Sequence, residues 1–458
     1  MLEPRTRPQG SDDRTVRGLR RAAKVLVLSL ALVLASASAA PRSAAAASAL
    51  GAIAPEIVKG LGPLPAAAVI VASPLVTDQT APKGDDLSVR IAQLVAGKIG
   101  GAARPHGKAE TLAAARATAG KAGALVYLQV ELAKGEVRVT ADLYPSMANG
   151  WDRVRIAAPA PLAHAFAAGT IDAEVRAFLT PVLLEQASLH KVRHDEGEVL
   201  AVGCGDLDGD GGMEVALVSR ARVALVRVKA GKLVLARTAA WSALSPRASV
   251  PLREPLAGAV FRGPGNLLVG ITDRGGVRLD AAFAPLAPFG GVPVPLAKDG
   301  GCAHASAESE IFEGDVTTCA PPEGARPVVL ATPPGRRFDA FASADIVQRD
   351  GSTRSIWADR EPGGKLRIRF GDQSMTVDGA GAQIAVGDLD LDGVPEIVTT
   401  SDTGDDALVV SSWSAQGLRP RARLVAPQGV RAIGVCPPEA RGIPAVVAVV
   451  GSELWLWR

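Results

Sequence analysis

Aromatic side chains make up only 4% of this 458-residue chain, which also has just five histidines, four methionines and four cysteines. A charge-relay enzyme needs a histidine beside its nucleophile, and none of the five stands in an informative context. No G-x-S-x-G elbow, no G-x-x-x-x-G-K phosphate cradle and no G-x-G-x-x-G after a strand occurs, so the motifs of serine hydrolases, phosphate-loop proteins and dinucleotide-binding enzymes are missing. The cysteines form no C-x-x-C pair, which disfavours a zinc site. The apolar run of the leader, Val25 to Leu34, is about half the roughly 20 residues that a helix needs to cross a bilayer. A basic face is missing too. Residues 1–39 hold seven of the fifty basic and three of the forty-seven acidic residues, which leaves 43 against 44 and no compositional support for nucleic-acid binding.

Glycine and proline are plentiful, at 49 and 33 residues, and without a collagen period they point to many turns between short elements rather than to a helical bundle. The arginine-rich start, the run VLVLSLALVL and the small residues ASASAA together read as a signal peptide over residues 1–39, cleaved after Ala39. The mature chain then has no transmembrane segment and works in the periplasm or as a secreted protein. In such an oxidising compartment four cysteines are compatible with two disulfides, in any of three connectivities. Cys302 and Cys319, which bracket a Ser/Ala/Glu-rich stretch, are the favoured pair.

Residues 40–60 read as an Ala-rich linker, and residues 61–188 as a small α/β domain. Ala66–Leu75 has the character of a buried strand. Leu87, Ile91, Leu94, Val95 and Ile99 share a helical face. Glu110–Lys121 is a second helix candidate, Leu125–Leu132 and Val137–Tyr144 a hairpin, Trp151–Ile156 an edge strand and Ile171–Gln186 a further helix. The succession VIVASPL, SVRIAQLVAGKI and GALVYLQVELAKGEVRVTADLY resembles the amino-terminal domain of TolB and related bacterial envelope proteins. That resemblance implies a fold and carries no catalytic motif.

Residues 189–458 change character to short β-rich runs. VLAVGCGDLDGDGGMEVALVS (Val199–Ser219) matches AQIAVGDLDLDGVPEIVTTS (Ala382–Ser401), and AIGVCPPEARGIPAVVAVV (Ala432–Val450) repeats the strand, turn and strand with its acids replaced. Weaker echoes surround Gly265, Gly324 and Gly351. Gly393 and Gly442 lie 49 residues apart, and an all-β period of this size is the mark of a β-propeller. The length suits five to seven blades, six being the central expectation. The fold class expected is therefore multidomain, a small N-terminal α/β domain followed by an all-β propeller.

Both intact repeats place acids at loop positions 1, 3, 5 and 9: Asp206, Asp208, Asp210 and Glu214 in the first, Asp388, Asp390, Asp392 and Glu396 in the second. Alternating acids on a tight loop can turn their oxygens onto one hard cation, and Ca²⁺ takes six to eight oxygens at about 2.3–2.6 Å. Gly211 and Gly393 permit the bend, while Gly212 and Val394 offer a backbone carbonyl. An EF-hand is excluded by Leu217 and Thr399 at position 12 and by strand-like flanks. Four carboxylates this close repel one another without a counter-charge. The loops resemble FG-GAP, or VCBS, repeats of integrin-α-like propellers, and that resemblance implies up to two structural calcium sites at these residues.

His190 and His194 lie four apart, but the glutamate of an H-E-x-x-H zinc protease is missing, so they read as an inter-domain linker. Asp402, Asp405 and Asp406 read as a polar loop tip. Trp357, Trp413, Trp455 and Trp457 read as core packing. The function expected is an exported, non-enzymatic calcium-binding scaffold for an unknown extracytoplasmic protein or polysaccharide. Two rivals stay open: a TolB-like component of the envelope machinery, and a propeller hydrolase or lyase acting on extracellular polymers.

Overall fold

The structure is a computed structural model and describes residues 48–458 except 66, 102, 121, 146–159, 230, 246–251, 253–254, 297–299, 306–310, 322–324, 334–335, 402–403 and 439–441. The leader, the Trp151–Ile156 stretch and Gly324 lie outside the described residues. No described helix is long and apolar enough to cross a membrane.

The segment read as linker is a helix, α1 (Ala49–Leu61), whose start is capped by the Ser48 hydroxyl accepting from Gly51 N–H. Its many alanines hide the period, yet Leu50, Ile53, Ile57 and Leu61 fall on one face and are buried. Strands β1 (Ala68–Ala72), β2 (Val76–Thr77), β3 (Arg104–Pro105), β4 (Ala124–Ala133), β5 (Glu136–Pro145) and β6 (Ala163–Thr170) form one mixed sheet. Its order is β3-β1-β4-β5-β6, with β2 beside β4. Helix α2 (Gly84–Ile99) buries Leu87, Ile91 and Val95, and these join α1 and the sheet in one core. Helix α3 (Leu112–Ala119) is shorter than the pattern predicts, since Thr111 caps its start and Gly120 stops it at positive φ. The predicted helix over Ile171–Gln186 reduces to Ala173–Arg176 and a 3₁₀ turn at Leu184–Gln186. Pro181 cannot continue a helix and disfavours helical backbone in Thr180 before it.

The rest of the described chain is a six-bladed β-propeller. Six four-stranded sheets follow in order, four of them built from consecutive strands; in the third a short strand, Phe312–Glu313, intervenes and pairs with Arg337–Phe338. The innermost strands are Val199–Gly205, Ala257–Phe261, Val292–Val294, Ala340–Val347, Ala380–Gly387 and Val430–Cys436. Residues of all six line a central channel. The ring closes through the segment read as linker: β7 (Leu189–Arg193), which precedes the first blade, pairs with Glu453–Trp457 and becomes the fourth strand of the last blade. His190 therefore belongs to a strand, and Lys191 lies 4.0 Å over the buried Trp455 ring.

Of the two disulfides, one adds to this closure. Cys302 joins Cys319 between adjacent strands of the third blade, and Cys204 joins Cys436, tying the inner strands of the first and last blades across 232 residues. A loop of that length loses enough unfolded-state entropy to be worth about 5 kcal/mol in the chain-entropy account.

The α/β domain sits over one mouth of the channel. The chain from Thr170 to Ala173 lines a cavity of about 720 Å³ together with the ends of the inner strands. Arg176 donates to the Gly442 carbonyl at 3.3 Å, and Leu391 of the fifth blade belongs to the α/β domain's hydrophobic core. The other end of the channel is a cavity of about 1280 Å³ lined by the beginnings of the inner strands.

Candidate metal centre

Both acidic loops connect the inner strand of a blade to its second strand, the first blade carrying Asp206–Glu214 and the fifth Asp388–Glu396. Their backbones fold alike for the same local reasons. Position 1 accepts two loop N–H groups: Gly209 and Gly211 donate to Asp206 at 2.8 and 2.9 Å, and Asp392 and Gly393 donate to Asp388 at 3.0 and 2.9 Å. The carboxylate at position 5 accepts from position 7, Gly212 onto Asp210 and Val394 onto Asp392, both at 2.8 Å. The glutamate at position 9 accepts from position 2 in each loop, from Leu207 at 2.7 Å and from Leu389 at 2.8 Å. Glu214 and Glu396 are fully buried.

The loops part company in their counter-charge. In the first blade Glu214 faces Arg227 across the hairpin, and the guanidinium fills the space between the acids. Its Nε donates to Glu214 at 2.7 Å, Nη1 to Asp210 at 2.7 Å and Nη2 to Asp208 at 2.8 Å, with a further Nη2 contact to Glu214. Arg227 holds the Asp210 carboxyl below the usual carboxylate range, and the acids, Asp210 first, raise the guanidinium pKa in turn.

In the fifth blade the residue facing Glu396 is Ser412, which donates to it at 2.8 Å. Arg421 enters from the fourth strand, but its Nε and Nη2 donate to exposed Glu185 at 2.7 and 3.3 Å while Nη2 stays 3.7 Å from Asp390. Asp388, Asp390 and Glu396 bring carboxylate oxygens within 4.8 Å of one another. Asp390 is 4% exposed and its Oδ1 has no hydrogen-bond partner. Burial pushes Asp388 up to about 8 and Glu396 to about 9, helped by the neighbouring carboxylates, and burial with the Asp392 charge raises Asp390 to about 6. Arg421 is thus the nearby cation, donating to Ser412 at 3.0 Å and lying 3.7 Å from Asp390 Oδ2, and it makes no hydrogen bond to Asp388, Asp390 or Glu396.

That donor set suits a hard oxygen-seeking cation. Asp388, Asp390 and Glu396 would hold it, with Val394 within the same loop. Asp392 is turned aside, its Oδ2 3.5 Å from Arg349. In the first loop Asp206, Asp208 and Asp210 likewise gather oxygens within 4.8 Å, while Glu214 is engaged by Arg227.

The sequence pattern missed Arg227, Ser412, Arg421 and Leu391. Arg227 and Ser412 occupy the same place in their blades but lie 13 and 16 residues after the glutamate, because the hairpin turns differ in length. Only strand register aligns them. Elsewhere, Asp406 of the predicted polar tip caps backbone, accepting from Ser401, Ala407 and Val430. Trp413, Trp455 and Trp457 are buried, and Trp357 packs against the third-blade core.

These features define a six-bladed propeller capped by an α/β domain, with two acidic blade loops. No family model and no curated protein matches the chain. Its likeness to FG-GAP/VCBS repeats thus rests on the two loops alone, and its likeness to TolB on the α/β segment alone. Similar solved structures include a glucose dehydrogenase, 12% identical at a TM-score of 0.37 over 59% of this chain and 99% of that one. The WD40 domain of coronin from Toxoplasma gondii is 10% identical at 0.33 over 72% and 78%. BamB from Moraxella catarrhalis is 10% identical at 0.29 over 57% and 85%. Likeness this distant carries nothing about activity or partner.

Proposed function

We propose that the protein is an exported, non-enzymatic propeller scaffold for an extracytoplasmic protein or polysaccharide, and that one calcium-class cation in the fifth-blade loop rigidifies it. The observation that carries this reading is the buried Asp390 with its unpartnered Oδ1, set beside Asp388 and Glu396. A divalent cation would supply charge at a spot where Arg421, 3.7 Å from Asp390 Oδ2 and donating to Ser412 at 3.0 Å, makes no hydrogen bond to the three acids. In the first-blade loop Arg227 already fills the space between Asp208, Asp210 and Glu214, so of the two sites implied by the FG-GAP/VCBS resemblance the fifth-blade loop is the one this reading favours. The signal-like leader and the two disulfides support export.

A thermal melt of the full chain in excess calcium and in chelator, beside Asp390→Asn, tests the cation. At a hundred times the dissociation constant, mass action adds about 2.7 kcal/mol, so the melting temperature should rise with calcium and the variant should lose the rise. An unchanged melt in the unsubstituted protein overturns the reading.

A further inference from the structure

The two loops share a left-handed backbone at position 4, and they fill it differently. In the first blade this position is Gly209 at φ +77°, which costs a glycine nothing. In the fifth it is Leu391 at φ +56°, a conformation that costs an L-residue roughly 1–2 kcal/mol. The strain is offset by where the side chain goes. Leu391 is 8% exposed and packs into the α/β core with residues of α1, α2 and the mixed sheet. It stands between Asp390 and Asp392, so a propeller loop carries cation-ligand candidates and a side chain anchored in another domain within the same few residues. The adjoining turn of the fourth blade braces the loop, Gln348 Nε2 donating to the Gly393 carbonyl at 2.9 Å and Arg349 Nε to the Asp392 carbonyl at 2.8 Å.

Neighbouring contacts show that this side of the ring is where the α/β domain rests. Arg176 meets Gly442 of the sixth blade, and a Cβ added at Gly351 of the fourth would lie 2.7 Å from the buried Glu174. In the first-blade loop Asp206 lines the cavity under the α/β domain, but position 4 is glycine, with no side chain to enter that domain's core, and Asp208 and Asp210 are exposed.

We propose that the fifth-blade loop is a cation-set latch for the α/β domain: a divalent cation drawing Asp388, Asp390 and Glu396 together holds Leu391 in the α/β core and keeps that domain over the channel mouth. The latch rests on the cation reading above, whose second support beyond the acids is the buried Asp390 Oδ1, which has no hydrogen-bond partner. Because coupling between two binding events is reciprocal, a cation that favours the docked loop must itself bind more tightly when the domain is docked.

Two readings on the full chain separate the latch from the cation site: calcium titration by calorimetry, and amide hydrogen exchange with calcium or with chelator. Expected are measurable calcium binding and an exchange slowed about fivefold or more by calcium at α1, β4 and the fifth blade together. In Leu391→Gly, which keeps the loop conformation that Gly209 adopts, calcium should still bind and protect the fifth blade, while protection of α1 and β4 stops responding to it. Leu391→Met, which retains an apolar anchor, should restore the response. Calcium that binds the unsubstituted protein and slows exchange in the fifth blade alone overturns the latch and leaves the cation site standing. So does a calcium response of α1 and β4 that survives in Leu391→Gly. No calcium binding at all overturns both.

Discussion

The first-blade and fifth-blade loops carry the same acids at the same spacing, yet one is completed by its own chain and the other is not. Arg227 and Ser412 stand at equivalent places opposite a fully buried glutamate, so a single hairpin residue decides whether the counter-charge is built in. Burial divides them as well. Asp208 and Asp210 face solvent, whereas Asp390 is enclosed where Leu391 of the same loop enters the α/β core. An acidic loop motif therefore specifies a cavity for positive charge, and its surroundings specify what supplies it.

Exchanging the residues opposite the glutamates should break this comparison. Arg227→Ser leaves Glu214 buried without its partner, a loss of about 3 kcal/mol in chelator, and calcium should restore most of it by entering the vacated space. Chelator and calcium melts of that variant check the outcome; a destabilisation that calcium leaves untouched means the first loop cannot be converted. The reverse change, Ser412→Arg, should place a guanidinium among Asp388, Asp390 and Glu396 and remove the calcium-dependent rise in melting temperature, about 2.7 kcal/mol at a hundred times the dissociation constant. Persistence of that rise would show that the cation does not use the space facing Glu396. The smallest effect is expected of Glu185→Gln. Arg421 holds the Glu185 carboxyl down to about 2, but Glu185 is exposed and its pair is screened by solvent. Its loss should barely move the melt while freeing Arg421 to approach Asp390, which lowers calcium affinity in a titration.

The propeller was legible because strand, turn and strand recur around a glycine, twice with the same acidic punctuation, and about six such units fit the chain. The α/β hairpin was legible from strict alternation around Lys134 and Gly135. Helix α1 was not, since alanine is at home in both helix and loop and its apolar face shows only when Leu50 and Leu61 are read as one stretch. The helix expected over Ile171–Gln186 starts where Asp172 caps Val175 N–H, its other oxygen accepting from Ala49 N–H of α1, and is cut short because Pro181 cannot continue it. Local pattern cannot reveal that a short segment serves two neighbours. The stretch around His190 lacked any sign of its role because pairing with the last strand, more than 250 residues away in sequence, is what makes it a strand.

Sequence alone determined the architecture and the two acidic loops, because blade period and loop spacing are local and survive without knowledge of neighbours. Tertiary structure alone decided that Arg227 bonds three acids of one loop, that Asp390 Oδ1 is buried without a hydrogen-bond partner in the other, and that Cys204 meets Cys436 across the ring. These depend on hairpin register and on contacts between residues far apart in the chain, and charge compensation depends on distance in space rather than on order in sequence.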